Sequence, residues 1–266
     1  MLIRLGFDIR FELPAAAAFV AQLRVHPSRA ADLREPDRLR TDPELPLQEY
    51  SDSFGNLCTR FHAPAGELRL YNSTLIEDSG DPDPISADAR EMPVQDLPSD
   101  VLRFLLNSRY CEVDLLSQTA VELFGGINPG WGRVAAICAW VNQKVTFGYL
   151  SARSTKTALD VYTERTGVCR DFQHLAITFC RALNIPARYA AGYLGDIQVP
   201  SSTPDFSAWF EAYLEGRWWT FDARNNVPRI GRVLMATGRD AADVAFLTSF
   251  GTSTLKHFEV VSDEVS

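Results

Sequence analysis

An aromatic-rich segment in the C-terminal half of the chain places the strongest constraint on the fold. Residues 205–226 read DFSAWFEAYLEGRWWTFDARNN, two runs of β-forming residues on either side of Glu215-Gly216. A two-residue turn at that dipeptide joins two antiparallel strands and pairs Leu214 with Arg217. The chain is therefore expected to contain an antiparallel sheet that includes this hairpin.

Each strand of the hairpin carries one small polar residue, Ser207 and Asp222. Counting back from the turn places Trp209 opposite Asp222. Ser207 and Asp222 then share one face as diagonal neighbours, with their α-carbons about 7–8 Å apart. Two polar side chains placed side by side on so apolar a hairpin indicate a functional site.

A helix is predicted upstream, in the segment TGVCRDFQHLAITFCRAL. Apolar residues recur at spacings of three and four from Phe172 to Leu183, which is typical of a helix with one buried face. Thr166-Gly167 comes before the helix, so Cys169 lies at its N-terminus. The unpaired N–H groups and the positive dipole end at that position favour a thiolate, the nucleophilic form of cysteine. Cys169 is therefore the candidate nucleophile.

The remaining cysteines are widely spaced, and no CxxC motif occurs. This spacing argues against a disulfide framework and against a zinc site. We expect these residues to be reduced and buried as small apolar side chains. They are Cys58, Cys111, Cys138 and Cys180.

The sequence pattern divides the chain into three parts. Residues 1–84 contain alternating apolar and polar runs such as GELRLYNSTLIE, which predict a mostly β domain. A stretch rich in Asp and Pro follows, and residues 85–97 are predicted to be a linker. Residues 98–266 are predicted to form an α+β domain, with helices first and strands later. Ser99 is a plausible N-cap of the first of those helices.

Composition and charge narrow the classes of partner. The 266 residues have a formal net charge of −8 and a pI near 5.1, which argues against nucleic acid or an anionic membrane as partner. No apolar run approaches the roughly 20 residues of a spanning helix. The N-terminal sequence lacks the pattern of a secretory signal. We expect a cytoplasmic protein without cofactor or metal, and the sequence leaves its oligomeric state open.

Several motifs occur in an order that resembles the bacterial branch of the transglutaminase-like superfamily. They are the GVC start of the predicted helix, the segment IPARY, the strand AWFE and the strand FDARN. The resemblance covers most of residues 98–250. It implies a papain-like α+β fold, in which a cysteine-bearing helix packs on an antiparallel sheet, preceded by a mostly β N-terminal domain. It also implies a Cys-His-Asp triad, in which the cysteine corresponds to Cys169 and the aspartate to Asp222.

The histidine of this triad, in the H-A-W-x-E strand, corresponds to Ser207. The Ser207 hydroxyl is unsuited to the role of base, because it is too weakly basic and too short to span from Asp222 to a thiolate. Asn225 is a second departure, since relatives read D-A-R-H-N. His174 lies about 140° round the helix from Cys169, so it is expected to face elsewhere.

Three further residues are predicted to contact substrate. Arg170, on the first turn of the Cys169 helix, suits a bidentate bond to a carboxylate. Trp209 and Tyr193 complete the predicted set of contacts.

Three functions remain open. The first is an enzyme that acts through Cys169 on an amide, acyl or small carboxylate substrate without imidazole; such thiol chemistry includes racemisation, isomerisation and decarboxylation. The second is a conventional amidase, peptidase or acyltransferase in which Ser207 is an engineered substitution. The third is a pseudoenzyme that binds a peptide or partner in its cleft.

Overall fold

The structure, a computed structural model, describes residues 1–194 and 205–265. It contains a β unit of two antiparallel sheets and an α+β unit in which helices pack on a further antiparallel sheet, which confirms the predicted fold class. The helices are α1 (Val113–Phe124), α2 (Trp131–Lys144), α3 (Ala158–Glu164) and α4 (Cys169–Ala182). The strands are β1 (Leu2–Leu13), β2 (Ala17–Ala21), β3 (Arg40–Asp42), β4 (Gln48–Ser51), β5 (Leu57–Ala63), β6 (Gly66–Glu77), β7 (Thr146–Phe147), β8 (Thr166–Gly167), β9 (Ala187–Leu194), β10 (Asp205–Leu214), β11 (Arg217–Phe221), β12 (Arg232–Gly238), β13 (Leu247–Phe250) and β14 (Thr254–Val265).

Alternating side chains build the β unit. Along β6, buried residues alternate with more exposed ones, so that one face of the strand turns to the core. The strands form two sheets with the orders β14-β1-β6-β3 and β13-β2-β5-β4. Side chains from both sheets, including Ile3, Phe19 and Leu70, form a common apolar core.

The last two strands of the chain belong to this β unit. β13 pairs with β2, and β14 pairs with β1 along nearly its whole length. The final segment therefore lies with the N-terminal sheets, and not with the 98–266 domain in which the sequence analysis placed it. Alternation predicts a strand but does not identify its partner, because the partner depends on which sheet edge remains unpaired.

Residues predicted as a linker pack against the α+β unit. Ala89 is buried, and its carbonyl accepts a hydrogen bond from the Trp131 N–H. Glu91 forms a salt bridge of 3.0 Å with Arg133 in α2. The segment is thus held in place by specific contacts.

α4 is the central element of the α+β unit. Its residues from Asp171 to Arg181 are all buried, because α1, α2 and α3 pack around it together with β9 and β10. The sheet has the order β11-β10-β9-β12. β10 and β11 form the predicted hairpin, in which Leu214 pairs with Arg217.

The helix predicted after Ser99 is reduced to a 3-10 turn, Leu102–Leu105. Leu106 is already extended. Its carbonyl accepts a hydrogen bond of 3.1 Å from Arg181 at the end of α4. A tertiary contact therefore replaces the intrahelical bond that a longer helix would have provided.

The two units share part of their core. Tyr193, Phe206 and Val233 from the C-terminal sheet are buried in the same cluster as the β-unit side chains. In the described part of the chain, no helix has both the length and the apolar character needed to span a bilayer.

Candidate functional site

The start of α4 is held by its own first turn. Cys169 is the first helical residue, and the Asp171 carboxylate accepts a hydrogen bond of 2.9 Å from the Val168 N–H. Gly167 lies tightly against this carboxylate: a Cβ at Gly167 would be 2.7 Å from the Asp171 Cβ. These contacts position Cys169 where the unpaired N–H groups of the helix favour an anion.

Cys169 differs from the other cysteines in exposure. It is partly exposed, whereas Cys58, Cys111, Cys138 and Cys180 are buried, and no cysteine forms a disulfide in the described structure. Burial raises the pKa of Cys111 to about 11 and raises the pKa values of Cys58, Cys138 and Cys180 as well. The four buried thiols are therefore poor nucleophiles at neutral pH.

Cys169 lines a cavity of about 350 Å³, which we call the thiol cavity. Arg170, Tyr189 and Ser207, which have polar or ionisable side chains, also line this cavity. None of the lining residues in the described ranges is a histidine. The remaining lining residues are Val168, Phe206, Ala208, Ala241, Val244, Ala245, Phe246 and Leu247.

Tyr189 is a neutral acid beside the thiol. Burial, followed by the charge of the Cys169 thiolate, raises the pKa of Tyr189 well above its ordinary value. The phenol therefore keeps its proton at neutral pH and can act as a hydrogen-bond donor. Tyr189 ends the IPARY segment, but its role could not be predicted, because strand position alone does not show which helix end the side chain faces.

Arg170 lines the thiol cavity but is partly engaged elsewhere. Its Nε donates to Asp171 at 3.2 Å, and Nη2 donates to the Arg153 carbonyl at 2.6 Å. These contacts fix the guanidinium at the start of α4. A role in substrate binding stays a prediction.

Asp222 lies outside the thiol cavity and is enclosed by donors. Its carboxylate accepts hydrogen bonds from Gln173 at 3.1 Å, from the Asn225 side chain at 2.8 Å and from Arg232 at 3.0 Å. Burial acts to raise the pKa of Asp222, but Arg232 and Asn225 outweigh it, so the pKa is below its ordinary value. Gln173 lies one helical turn after Cys169 and connects the two parts of the site.

Among the described residues, Ser207 makes no hydrogen bond that could relay a proton. The residue is 5% exposed, and its Oγ has no hydrogen-bond partner among the described residues. Ser207 pairs with Gly192 in the neighbouring strand. The charged side chain that pairs with Asp222 is instead Arg232. An arginine cannot accept a proton.

The other predicted residues lie away from the thiol cavity. Trp209 is buried beneath the Arg232 guanidinium, which is 5.2 Å from its ring centroid. Tyr193 is 1% exposed and packs edge-on against Phe206 in the shared core. His174 is fully buried and accepts a hydrogen bond of 3.1 Å from the Ala241 N–H.

Sequence reasoning missed Gln173 and Arg232. Gln173 could have been found, because a residue four positions after Cys169 lies on the same helix face. Arg232 lies ten residues from Asp222, beyond the reach of hairpin counting. In the described residues, no cluster of His, Cys, Asp and Glu side chains could hold a metal ion.

Known proteins resemble this chain to different degrees. Residues 117–223 match the transglutaminase-like superfamily. A solved structure from Cytophaga hutchinsonii, described as a candidate cysteine protease, is 34% identical and covers 100% of this chain and 92% of its own, with a TM-score of 0.86. The uncharacterized protein ML0607 of Mycobacterium leprae is 27% identical over 246 residues, 88% of this chain and 87% of the relative. The periplasmic domain of TgpA from Pseudomonas aeruginosa is 17% identical over 84% of this chain and 90% of its own, with a TM-score of 0.41.

Proposed function

Because the chain belongs to the transglutaminase-like superfamily, we propose that it is a cysteine-centred enzyme that hydrolyses or transfers activated acyl groups without a histidine base. The observation that carries the proposal is the position of Cys169. This residue begins α4, is the least buried of the five cysteines and lines the thiol cavity. Ser207 takes the sequence position of the family's base without taking its role.

The reaction starts from the thiolate, which the N-terminus of α4 stabilises. Sγ of Cys169 bonds to the acyl carbonyl carbon, and the bond to the leaving group breaks. The leaving group departs with its electron pair as a thiolate or phenolate, so it needs no proton from the protein. Water or another nucleophile then attacks the acyl-cysteine, loses its proton to solvent and regenerates the thiolate.

Tyr189 is suited to assist both steps. Its raised pKa keeps the phenol protonated. A protonated phenol close to Sγ can donate a hydrogen bond to the oxyanion of each tetrahedral intermediate.

Amide substrates are different, because their amine leaving group must receive a proton as it departs. General acid help of this kind contributes about 10²–10⁴-fold, so amide hydrolysis is expected to be slow.

The cavity wall favours a small acyl group. Apolar side chains such as Val244, Phe246 and Leu247 make up much of the wall, and Arg170 supplies a positive charge. We therefore propose short acyl or small carboxylate substrates, including acyl groups of peptides.

We also propose a cytoplasmic location, since a thiol nucleophile among unbridged cysteines suits a reducing compartment.

Steady-state hydrolysis of an acyl thioester and of the matching anilide tests this proposal. We expect the unaltered protein to hydrolyse the thioester. The Cys180→Ala variant, a control changed on the same helix as Cys169, should do so equally. Cys169→Ala should lower this turnover at least 100-fold, and the anilide should stay at background in all three proteins. Tyr189→Phe should lower kcat about 100-fold with little change in KM. Thioester turnover that survives in Cys169→Ala would exclude the proposal.

Ligand binding without turnover is a second candidate, and one observation favours it. Arg232 and Asn225 occupy the carboxylate of Asp222, the residue that orients the base in the family. A binding protein would leave the thioester intact although Cys169 remains accessible to alkylation. A conventional family hydrolase altered at Ser207 is the remaining alternative, and a Ser207→His variant separates it from both.

A further inference from the structure

The C-terminal sheet carries a second cavity on the face away from α4. Strand alternation places Ala208 and Phe210 in the core that surrounds α4. The intervening residues Trp209 and Glu211 line a separate cavity of about 360 Å³, which we call the outer cavity. Its far wall includes Arg29, from the 3-10 turn Pro27–Asp32 of the β unit.

Arg232 forms a buried wall of the outer cavity and has one unused donor. Its side chain is 7% exposed. Nε donates to Asp83 at 2.8 Å, and Nη2 donates to Asp222 at 3.0 Å. Nη1 has no hydrogen-bond partner in the part of the chain that the structure describes. A buried N–H donor without a partner is costly, which indicates that an acceptor from outside the chain belongs at this position.

Arg188 offers further donors on the same face. Its Nε donates to Glu211, and its guanidinium stacks on Trp218 at 4.4 Å from the ring centroid. Within the described ranges, its terminal nitrogens make no hydrogen bond. Arg188 pairs with Glu211 in the sheet. Glu211 is two positions from Trp209 on the same strand, and the Arg232 guanidinium lies over Trp209. The two guanidinium groups therefore lie over adjacent positions of one face, about 7 Å apart along the strand.

The polar groups of the outer cavity that remain open are hydrogen-bond donors, because Asp83 and Glu211 each already bind an arginine. We propose that the outer cavity binds a carboxylate, with one oxygen on Arg232 Nη1 and the other on the terminal nitrogens of Arg188. The lining holds three arginines and two carboxylates, and Asp222, Asp32 and Asp78 outside the lining pair with two of these arginines, so hydrogen bonds to the open donors rather than net charge hold the ligand. Asp222 lies directly behind Arg232 and disfavours a multiply charged phosphate.

The carboxylate comes from a small organic acid or from a peptide C-terminus, and the probes distinguish these sources. Calorimetric titrations use propionate, acetyl-Ala-Ala and acetyl-Ala-Ala amide on the Cys169→Ala protein. This variant removes turnover, so the result is independent of the proposed reaction. Binding of propionate alone identifies a small-acid site, and binding of acetyl-Ala-Ala but not its amide identifies a C-terminus site. Equal binding of acid and amide, or no binding of either acid at millimolar concentration, overturns the proposal.

Matched arginine variants locate the site. Arg188→Gln is expected to weaken binding at least tenfold, because it removes charge-assisted hydrogen bonds. Arg217→Gln is the control: Arg217 also stacks on a tryptophan, at 4.1 Å from the Trp219 ring centroid, but does not line the outer cavity. Its binding should be unchanged. Binding that is lost in Arg170→Gln instead, or that is unaffected by Arg188→Gln, overturns the proposal. Circular dichroism checks that each variant is folded.

Discussion

At Asp222, an arginine compensates the charge that a histidine would share in the family's triad. A buried carboxylate without a partner is strongly unfavourable, and Arg232 supplies that partner together with Gln173 and Asn225. Arg232 stabilises the charge but cannot accept a proton. At the residue level, the Asp222 carboxylate is therefore already paired, while Cys169 lines a separate cavity.

The reactivity of Cys169 follows from its exposure and its helix end. After brief treatment with limiting iodoacetamide, we expect mass spectrometry to find label at Cys169 before any other cysteine. The other four thiols are buried, and burial raises their pKa values. Denatured protein is the control, in which all five should react at similar rates. Labelling led by Cys58 or Cys111 in the native protein would contradict the assignment.

A histidine at position 207 tests how much of the family's chemistry survives. Ser207→His is expected to raise turnover of an aryl ester or an anilide at least tenfold, because imidazole adds general acid–base help worth about 10²–10⁴-fold. Because Arg232 already pairs with Asp222, the gain in turnover is expected to be close to tenfold. Adding Cys169→Ala should abolish the gain. An unchanged rate in a correctly folded variant would mean that the site has left the family's chemistry.

At the scale of elements, the turn from β8 into α4 determines where Cys169 lies. Asp171 caps the Val168 N–H, and Gly167 leaves room for that carboxylate. Lys156 supports the same turn from outside, since its Nζ donates to the Thr166 carbonyl at 2.7 Å. Short-range contacts in this turn therefore set the position of Cys169 at the start of α4, while the helix as a whole packs on β9 and β10.

A side chain at Gly167 should disturb this turn. Gly167→Ala would place a Cβ 2.7 Å from the Asp171 Cβ, so the free energy of unfolding is expected to fall by about 1–3 kcal/mol. Cys169 alkylation should slow as well. Gly132→Ala is the matched control: it lies in the first turn of α2 with no atom near its Cβ position, and should be neutral or stabilise by up to about 1 kcal/mol. Denaturant melts of both variants measure the difference, and equal stability would refute the argument.

At the scale of the whole molecule, both ends of the chain close one unit. β1 lies between β6 and β14, so the first and last strands are hydrogen-bonded neighbours. The β unit in turn shares its core with the C-terminal sheet through Tyr193 and Phe206. The two units are thus expected to lose stability together when either is perturbed.

The last strand should contribute to the stability of the first. Val260, on β14, is buried in the β-unit core, so Val260→Ala is expected to destabilise the protein by about 1.5 kcal/mol, the value of two buried methylene groups. Amide hydrogen exchange in β1 should rise. Leu255→Ala on the same strand is the control, because Leu255 is 53% exposed. If both variants melt alike, the C-terminal strand does not support the N-terminal sheet.

The burial of His174 and the partial burial of His26 predict that the protein loses stability at acidic pH. Burial lowers the pKa of His174 below its ordinary value of 6.5, and burial also lowers the pKa of His26. The unfolded chain therefore binds protons below about pH 6.5 that the folded chain does not, and stability falls as pH falls. The slope is about 1.4 kcal/mol per pH unit for each proton. His174→Gln should flatten the decline between pH 6.5 and 5, whereas His62→Gln, at an exposed position, should not; identical slopes would count against the assignment.

The local features of this protein are determined by its sequence alone. The hairpin register follows from the Glu215-Gly216 turn, and the placement of Cys169 follows from the apolar period of α4 and the preceding glycine. Both depend on neighbours a few residues apart, whose geometry is restricted by backbone sterics and short hydrogen bonds. The same locality explains why the family motifs are recognisable as short runs of the sequence.

Only the tertiary structure decided what surrounds these features. The pairing of Asp222 with Arg232, the presence of Tyr189 at the thiol cavity and the return of β14 to β1 all join segments that are distant in sequence or on separate strands. Such contacts depend on how whole elements pack, and a buried charge accepts whichever donor the packing brings within reach. The sequence could therefore predict the helix that begins at Cys169 and the register of the hairpin, but not the arginine that pairs with Asp222.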